Sequence, residues 1–125
     1  MTANRTEVAD RLFTAIEDGD LAALTALWSD DVTVWRQGGG RERDKSRALK
    51  VIEWFVGATT DRRYEVLDRQ FFDDGFVQQH NLHVTTVAGE PVSLRACLVV
   101  RMGCDGLITR IDEYLDPAEL APLLP

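Results

Sequence analysis

The 125-residue sequence contains little that could form a disulfide framework, a metal site or a membrane span. Its two cysteines, Cys97 and Cys104, are seven residues apart with no CxxC motif and no adjacent histidine, so both are interpreted as ordinary thiols. No apolar run approaches the roughly 20 residues that cross a bilayer, and no apolar signal region follows Met1. The sequence therefore predicts a cytoplasmic protein without a membrane span or a bound metal.

Positive charge is also scarce. The chain carries 14 Lys and Arg against 21 Asp and Glu, a formal net charge of −7 at pH 7. Because an acidic surface repels phosphate groups and anionic lipid, neither nucleic acid nor a membrane is expected as a partner. The length and the 45% share of hydrophobic residues predict one domain over residues 1–125 that can bury a core and still enclose a ligand cavity.

Apolar residues at a spacing of three to four predict three helices in the first half of the chain. The first covers residues 2–18, the second runs from Asp20 to about Ser29, and the third carries Arg41 and Arg43 in its first turns and ends near Gly57. Asp18-Gly19-Asp20 is interpreted as a helix end followed by a helix start, because Gly19 can adopt the left-handed conformation and Asp20 can accept hydrogen bonds from free amides. A strand is predicted at residues 32–35.

Beyond Thr60 the hydrophobic period changes to two. Strands are predicted at residues 64–72, 76–87, 92–102 and 107–115, joined by tight turns, and a short helix begins at Pro117. This order predicts an α+β architecture, with three N-terminal helices packed on one face of a strongly curved, mainly antiparallel sheet.

Glu113 is the most informative single residue. Alternation along the last strand places it on one face with Ile111 and Leu115, and places Tyr114 on the other face. A carboxylate on an apolar face either lines a wet cavity with a raised pKa, as a general acid or base does, or lies at a frayed strand end in solvent.

The two histidines, His80 and His83, are three residues apart on one strand, so their side chains leave opposite faces and cannot bind one metal together. The number of apolar neighbours favours the face of His80 as the core side. If Asn81 and His83 face inward instead, they can lie opposite Glu113, and a histidine held by a carboxylate can act as a general base.

A glycine-rich segment begins two residues after Arg36. Arg36 shares a strand face with Val34, so it either points inward to neutralise Glu113 or anchor an anionic group, or lies in solvent. Gly38-Gly39-Gly40 precedes a basic segment, as in a phosphate-binding loop. Because neither GxxxxGKS/T nor GxGxxG is present, this segment is expected to be a flexible rim loop.

Three segments of the chain resemble the nuclear-transport-factor-2-like superfamily, and its SnoaL-like branch most of all. They are DGDLAAL at 18–24, LWSDDV at 27–32 and DGLITRIDEYLD at 105–116. The resemblance implies a conical α+β barrel, commonly a homodimer. The superfamily includes ketosteroid isomerases, limonene-epoxide hydrolases, polyketide cyclases and dehydratases, together with members that only bind or scaffold.

The chemical groups of the ketosteroid isomerases are replaced in this chain. The position of their oxyanion-hole tyrosine resembles Leu12, that of their base Arg36, and that of their protonated aspartate lies near Leu98. The resemblance therefore implies the pocket but not the isomerase machinery.

In limonene-epoxide hydrolases an arginine is flanked by two aspartates, and these positions resemble Asn81, His83 and Glu113 here; the water-holding residues fall at Val34 and Arg36. The resemblance also implies that the strand face with Asn81 and His83 lines the pocket. It implies apolar walls formed by Leu12, Ile16, Leu24, Val34, Phe55, Leu98 and Ile111.

Two function hypotheses result. The first is an enzyme of isomerase, cyclase, dehydratase or hydrolase type, acting without metal or organic cofactor on a small, mostly apolar carbonyl, enol or epoxide compound. His83 and Glu113 form its acid/base pair, Asn81 orients, and Arg36 stabilises negative charge. The second is a non-catalytic module that binds a hydrophobic ligand or dimerises, with Arg36 and Glu113 as a structural ion pair.

Overall fold

A computed structural model of the chain describes residues 4–124. The α-helices are α1 (Arg5–Asp18), α2 (Leu21–Leu27) and α3 (Lys45–Ala58), and a 3-10 helix covers Pro117–Leu123. The strands are β1 (Trp28–Arg36), β2 (Thr59–Phe72), β3 (Gly75–Thr86), β4 (Pro91–Met102) and β5 (Ile108–Leu115). The predicted start of the first helix at Thr2 lies outside the described residues.

All five strands belong to one sheet in the order β1-β5-β4-β3-β2. The three hairpins β2-β3, β3-β4 and β4-β5 are antiparallel, and β1 pairs with β5 in parallel. The first and last strands are therefore neighbours, and α3 lies between β1 and β2 in the chain. The predicted α+β class, with helices on a mainly antiparallel sheet, is confirmed.

The end of α1 and the start of α2 follow the predicted pattern. Gly19 has φ 67° and ends α1, with its amide donating to the carbonyl of Ile16 at 3.1 Å. The carboxylate of Asp20 accepts a hydrogen bond from the amide of Ala23 at 3.0 Å. Glycine is favoured at the first position because it tolerates a positive φ, and aspartate at the second because its side chain satisfies a free helix amide.

Three predicted element starts are wrong, and one of them is that of β2, which begins at Thr59 rather than residue 64. Strand β1 begins at Trp28 rather than residue 32, because Trp28 pairs with Ile108 and a register irregularity before Thr33 accommodates the polar residues between them. Helix α3 begins at Lys45, so Arg41 and Arg43 precede it. The Arg43 backbone pairs with Val34 through hydrogen bonds of 2.8 and 2.9 Å, which keeps this segment extended.

The hydrophobic core lies between α1, α2 and α3 and the inner face of the sheet. Its most completely buried side chains include Val8, Leu12, Leu24, Val32, Phe76, Val100 and Ile108. Alternate residues of β3 and β4 point into this core, and the residues between them form the outer face. None of the helices within residues 4–124 has the length and apolar character needed to cross a membrane.

Arg62 joins the two helix ends to the sheet. Its guanidinium donates to the carbonyls of Ile16 at 3.0 Å and Glu17 at 3.3 Å, at the end of α1. It also donates to the carbonyl of Val56 at 3.3 Å and to the carbonyl and hydroxyl of Thr59 at 3.0 and 2.8 Å. The last carbonyls of a helix lack intrahelical partners, so this one side chain satisfies groups of both α1 and α3.

Candidate functional site

A cavity of about 140 Å³ lies between the inner face of the sheet and helices α1 and α3. Its wall is mostly apolar and includes the six predicted ligand-binding residues, which are Leu12, Ile16, Val34, Phe55, Leu98 and Ile111. Leu24, which the resemblance also implies as a wall residue, is buried in the core and does not line the cavity. Trp54, which is 38% exposed, lies where the cavity meets the surface.

The polar part of the wall comes from neighbouring strands. Arg36 at the end of β1 and Glu113 on β5 are register partners in the parallel pair, so their side chains leave the sheet on the same face. Both line the cavity, whereas Trp35 and Tyr114 pack together on the outer face with ring centroids 5.2 Å apart. No ion pair between residues 4 and 124 joins Arg36 to Glu113.

Two N–H groups in the wall have no acceptor within the described chain. They are the indole Nε1 of Trp28, a residue that is 2% exposed, and the guanidinium Nε of Arg36. A buried donor without a partner costs about 1–3 kcal/mol, and such groups are uncommon in folded proteins. Both atoms are shielded from the cavity space, so each is an unsatisfied donor inside the wall and not a group that a ligand oxygen contacts directly.

Glu113 is the titratable group placed best for acid/base chemistry. Burial raises the pKa of its carboxyl above the ordinary value, and the positive charge of Arg36 acts in the opposite direction. Burial also raises the pKa of the Tyr64 phenol, with Glu113 and then Glu17 adding to the effect. A carboxyl with a raised pKa can hold a proton near neutral pH and transfer it to a bound molecule.

The inward orientation expected for Asn81 and His83 is wrong. Both side chains lie on the outer face of β3, where His83 bonds to Glu65 and Ser93, each at 2.8 Å, and Asn81 donates to Glu65 at 3.2 Å. Strand alternation explains this, because Leu82 between them occupies the inner face and lines the cavity. The structure brings Arg36 and Glu113 together but separates both from Asn81 and His83.

His80 points into the core instead, as the number of apolar neighbours along β3 indicated. It is 1% exposed, packs against the rings of Phe13 and Tyr64, and bonds through Nδ1 to the amide of Gln78 at 2.9 Å. Arg69 in turn donates to Gln78 at 2.7 Å. Burial lowers the pKa of His80 to about 4, so its imidazole is neutral at pH 7.

Sequence reasoning missed four wall residues with polar atoms, Trp28, Arg43, Trp54 and Tyr64. Trp28 was assigned to a helix face, although a tryptophan just before a run of strand-forming residues also suits the first position of a strand. Tyr64 lies opposite Leu82 in the β2-β3 pair, so alternation along β2 could have placed it on the inner face. Within residues 4–124, no three His, Cys, Asp or Glu side chains form a group that could hold a metal ion.

The model of the SnoaL-like domain family matches residues 9–111 of this chain. No curated protein matches the sequence. The sequence match covers most of α1, all of α2 and α3 and most of the sheet, including Arg36, and it ends two residues before Glu113.

Solved structures share the fold over nearly the whole chain. AclR from Streptomyces galilaeus, a proposed hydroxylase, is 20% identical with a TM-score of 0.83, covering 100% of this chain and 89% of AclR. IdmH from Streptomyces antibioticus, a proposed polyketide cyclase, is 19% identical with a TM-score of 0.81 and coverage of 97% and 98%. An LEH-like epoxide hydrolase from M. tuberculosis is 17% identical with a TM-score of 0.76 and coverage of 94% and 86%. At these identities the likeness concerns the fold.

Proposed function

This chain belongs to the SnoaL-like domain family, and from that premise we propose that it binds a small, mostly apolar molecule in the cavity and performs acid/base chemistry on it. The observation that carries the proposal is the placement of Glu113, a carboxyl with a raised pKa, beside Arg36 in an otherwise apolar wall. Buried titratable groups with shifted pKa values, gathered in a cleft, are typical of catalytic sites.

The proposed roles follow from charge. Glu113 exchanges a proton with a carbonyl, enol or epoxide group of the substrate, and the guanidinium of Arg36 stabilises negative charge that develops on oxygen. The substrate class is the one expected from the sequence, and the reaction is of isomerase, cyclase, dehydratase or hydrolase type without a cofactor. His83 and Asn81 have no part in the proposal, because they lie on the other face of the sheet.

Similar structures support a small-molecule site in this fold, since they include a proposed hydroxylase, a proposed polyketide cyclase and an LEH-like epoxide hydrolase. The alternative, a binding module in which Arg36 and Glu113 form a structural ion pair, has less support. Such a pair needs direct contact to offset the cost of burying both charges, and none joins these residues.

We also propose that the protein is a cytoplasmic homodimer formed through the outer face of the sheet. Tyr114, 46% exposed, and Trp35 form an aromatic pair on this face. Aromatic residues are enriched in protein interfaces, which supports an isologous contact there.

The test begins with a thermal-shift panel of ketones, epoxides, enols and aromatic polyketides. A ligand at about a hundred times its dissociation constant should add roughly 2.7 kcal/mol of stability. Compounds that bind are then assayed for turnover. Glu113→Gln should lower kcat by about 10²-fold or more while ligand still binds, because the amide keeps the shape of the carboxyl but cannot transfer its proton.

Glu65→Gln is the matched control, since it makes the same chemical change on the outer face of the sheet. It should leave kcat unchanged. Full turnover in Glu113→Gln would contradict the assigned role, and binding without turnover in the wild type would favour the binding module.

A further inference from the structure

The size of the cavity limits what it can hold. A dry cavity of about 150 Å³ lined by aliphatic and aromatic side chains accommodates a benzene molecule. The cavity here, at about 140 Å³ with a wall of the same character, matches one six-membered ring with a small substituent. Fused three- and four-ring skeletons are larger than this space.

The polar groups in the wall favour an anionic oxygen group on that ring. Arg36 lines the cavity with a full positive charge, and no carboxylate of the described residues forms an ion pair with it. Arg43 adds a second guanidinium to the same wall. Planar oxyanions suit such donors because a guanidinium can bind two oxygens at once.

From this size and these two guanidinium groups we infer that the cavity is selective for a compact, single-ring monoanion whose carboxylate or enolate oxygens bind Arg36. This inference rests on the proposed function and narrows its substrate class. The ligand, rather than Glu113, then neutralises the buried arginine.

The charges around Glu113 also make binding of the anion depend on pH. Arg36 on β1 and Arg43 before α3 are positive, and Tyr64 on β2 is neutral because burial raises its pKa. Burial of Glu113 already favours its protonated form, and only Arg36 favours the charged form. An anion bound to Arg36 neutralises the charge that lowers the pKa of Glu113, and it repels the Glu113 carboxylate. The pKa of Glu113 therefore rises further, and binding of the anion strengthens as the pH falls toward that pKa.

The experiment measures binding of benzoate and of its neutral counterpart benzamide by isothermal titration calorimetry on the full chain. Benzoate should bind the wild type at least 10-fold more tightly than benzamide at pH 7.

Three variants test the assignment to residues. Arg36→Gln should weaken benzoate at least 10-fold and benzamide less than 3-fold, whereas Arg95→Gln, the same charge change at an exposed site on β4, should weaken neither. Glu113→Gln imitates the protonated carboxyl, so it should bind benzoate at least as tightly as the wild type. If Arg36→Gln does not fold, the wild-type ratio of benzoate to benzamide still decides the anion preference.

Equal affinities for benzoate and benzamide, or an unchanged ratio in Arg36→Gln, would each overturn the inference. If larger neutral compounds stabilise the protein and single-ring anions do not, the inference fails while the proposed function stands. If no compound of any class binds, both fail.

Discussion

At the scale of single residues, Arg36 and Glu113 differ from the surface charges of the chain because they share an apolar cavity without contact. Most ion pairs elsewhere in the described chain are within hydrogen-bonding distance, such as Arg110 with Glu42 at 2.8 Å. A separation maintained inside an apolar wall leaves the charges available to a third group. This is the arrangement expected when a ligand completes the site.

His80 makes a prediction at the same scale. Its pKa is lowered to about 4 in the folded chain by burial, against 6.5 for an exposed histidine, so the unfolded chain binds more protons between these pH values. The contribution of neutral His80 to the free energy of unfolding is therefore complete above pH 6.5. It is lost as the pH falls toward 4, by up to about 3 kcal/mol. Urea unfolding of the wild type between pH 7 and 4 should show the loss.

Carboxylates also titrate in this range, so the comparison is between variants. His80→Gln should lose less stability on acidification than His83→Gln, which removes the half-buried histidine of the outer face and keeps the buried one. Because the chain has only these two histidines, NMR titration can follow each ring separately. Titration of both rings near pH 6.5 would show that His80 is not held neutral by burial.

At the scale of elements, Arg62 decides how α1 and α3 attach to the sheet. Arg62→Met should lower the free energy of unfolding by about 2–4 kcal/mol, because carbonyls at two helix ends lose a charged donor. Arg62→Lys should recover part of this loss. The measurement is urea unfolding at pH 7.

The neighbouring Arg63 provides the control, since it is exposed and alternation places it on the other face of β2. Arg63→Met should change stability by less than about 0.5 kcal/mol. A loss in Arg62→Met no larger than that in Arg63→Met would mean that water satisfies the helix ends equally well.

At the scale of the whole molecule, the proposed homodimer predicts a sedimenting species of twice the 14.0 kDa chain mass at micromolar concentration. Tyr114→Arg should shift the distribution to the monomer, because like charges would meet across a two-fold axis through the outer face. Val87→Arg, at an exposed residue just after β3, should leave the dimer intact. A wild-type species of 14.0 kDa would refute the dimer.

Much of the architecture was predictable because it depends on local pattern. Helix periodicity, the Gly19-Asp20 cap and the turns of the meander are encoded within a few residues of each other, and the structure has them close to where they were expected. The start of β1 was not predictable in this way, because Trp28 becomes a strand residue by pairing with Ile108, eighty positions away in the chain. Boundaries set by such distant partners leave little local signal.

The candidate site, too, was predictable only where it depends on local pattern. Alternation within one strand was enough to put Glu113 among apolar residues and to place His80 and His83 on opposite faces, since the side-chain period of a strand is a property of its backbone. The tertiary structure decided two further points. The packing of the helices determined which face of β3 became the inner one, and the pairing of β1 with β5 placed Arg36 beside Glu113. The unpaired donors of Trp28 and Arg36 likewise exist only in the folded chain, because burial and the absence of an acceptor are properties of the assembled cavity and not of any segment that lines it.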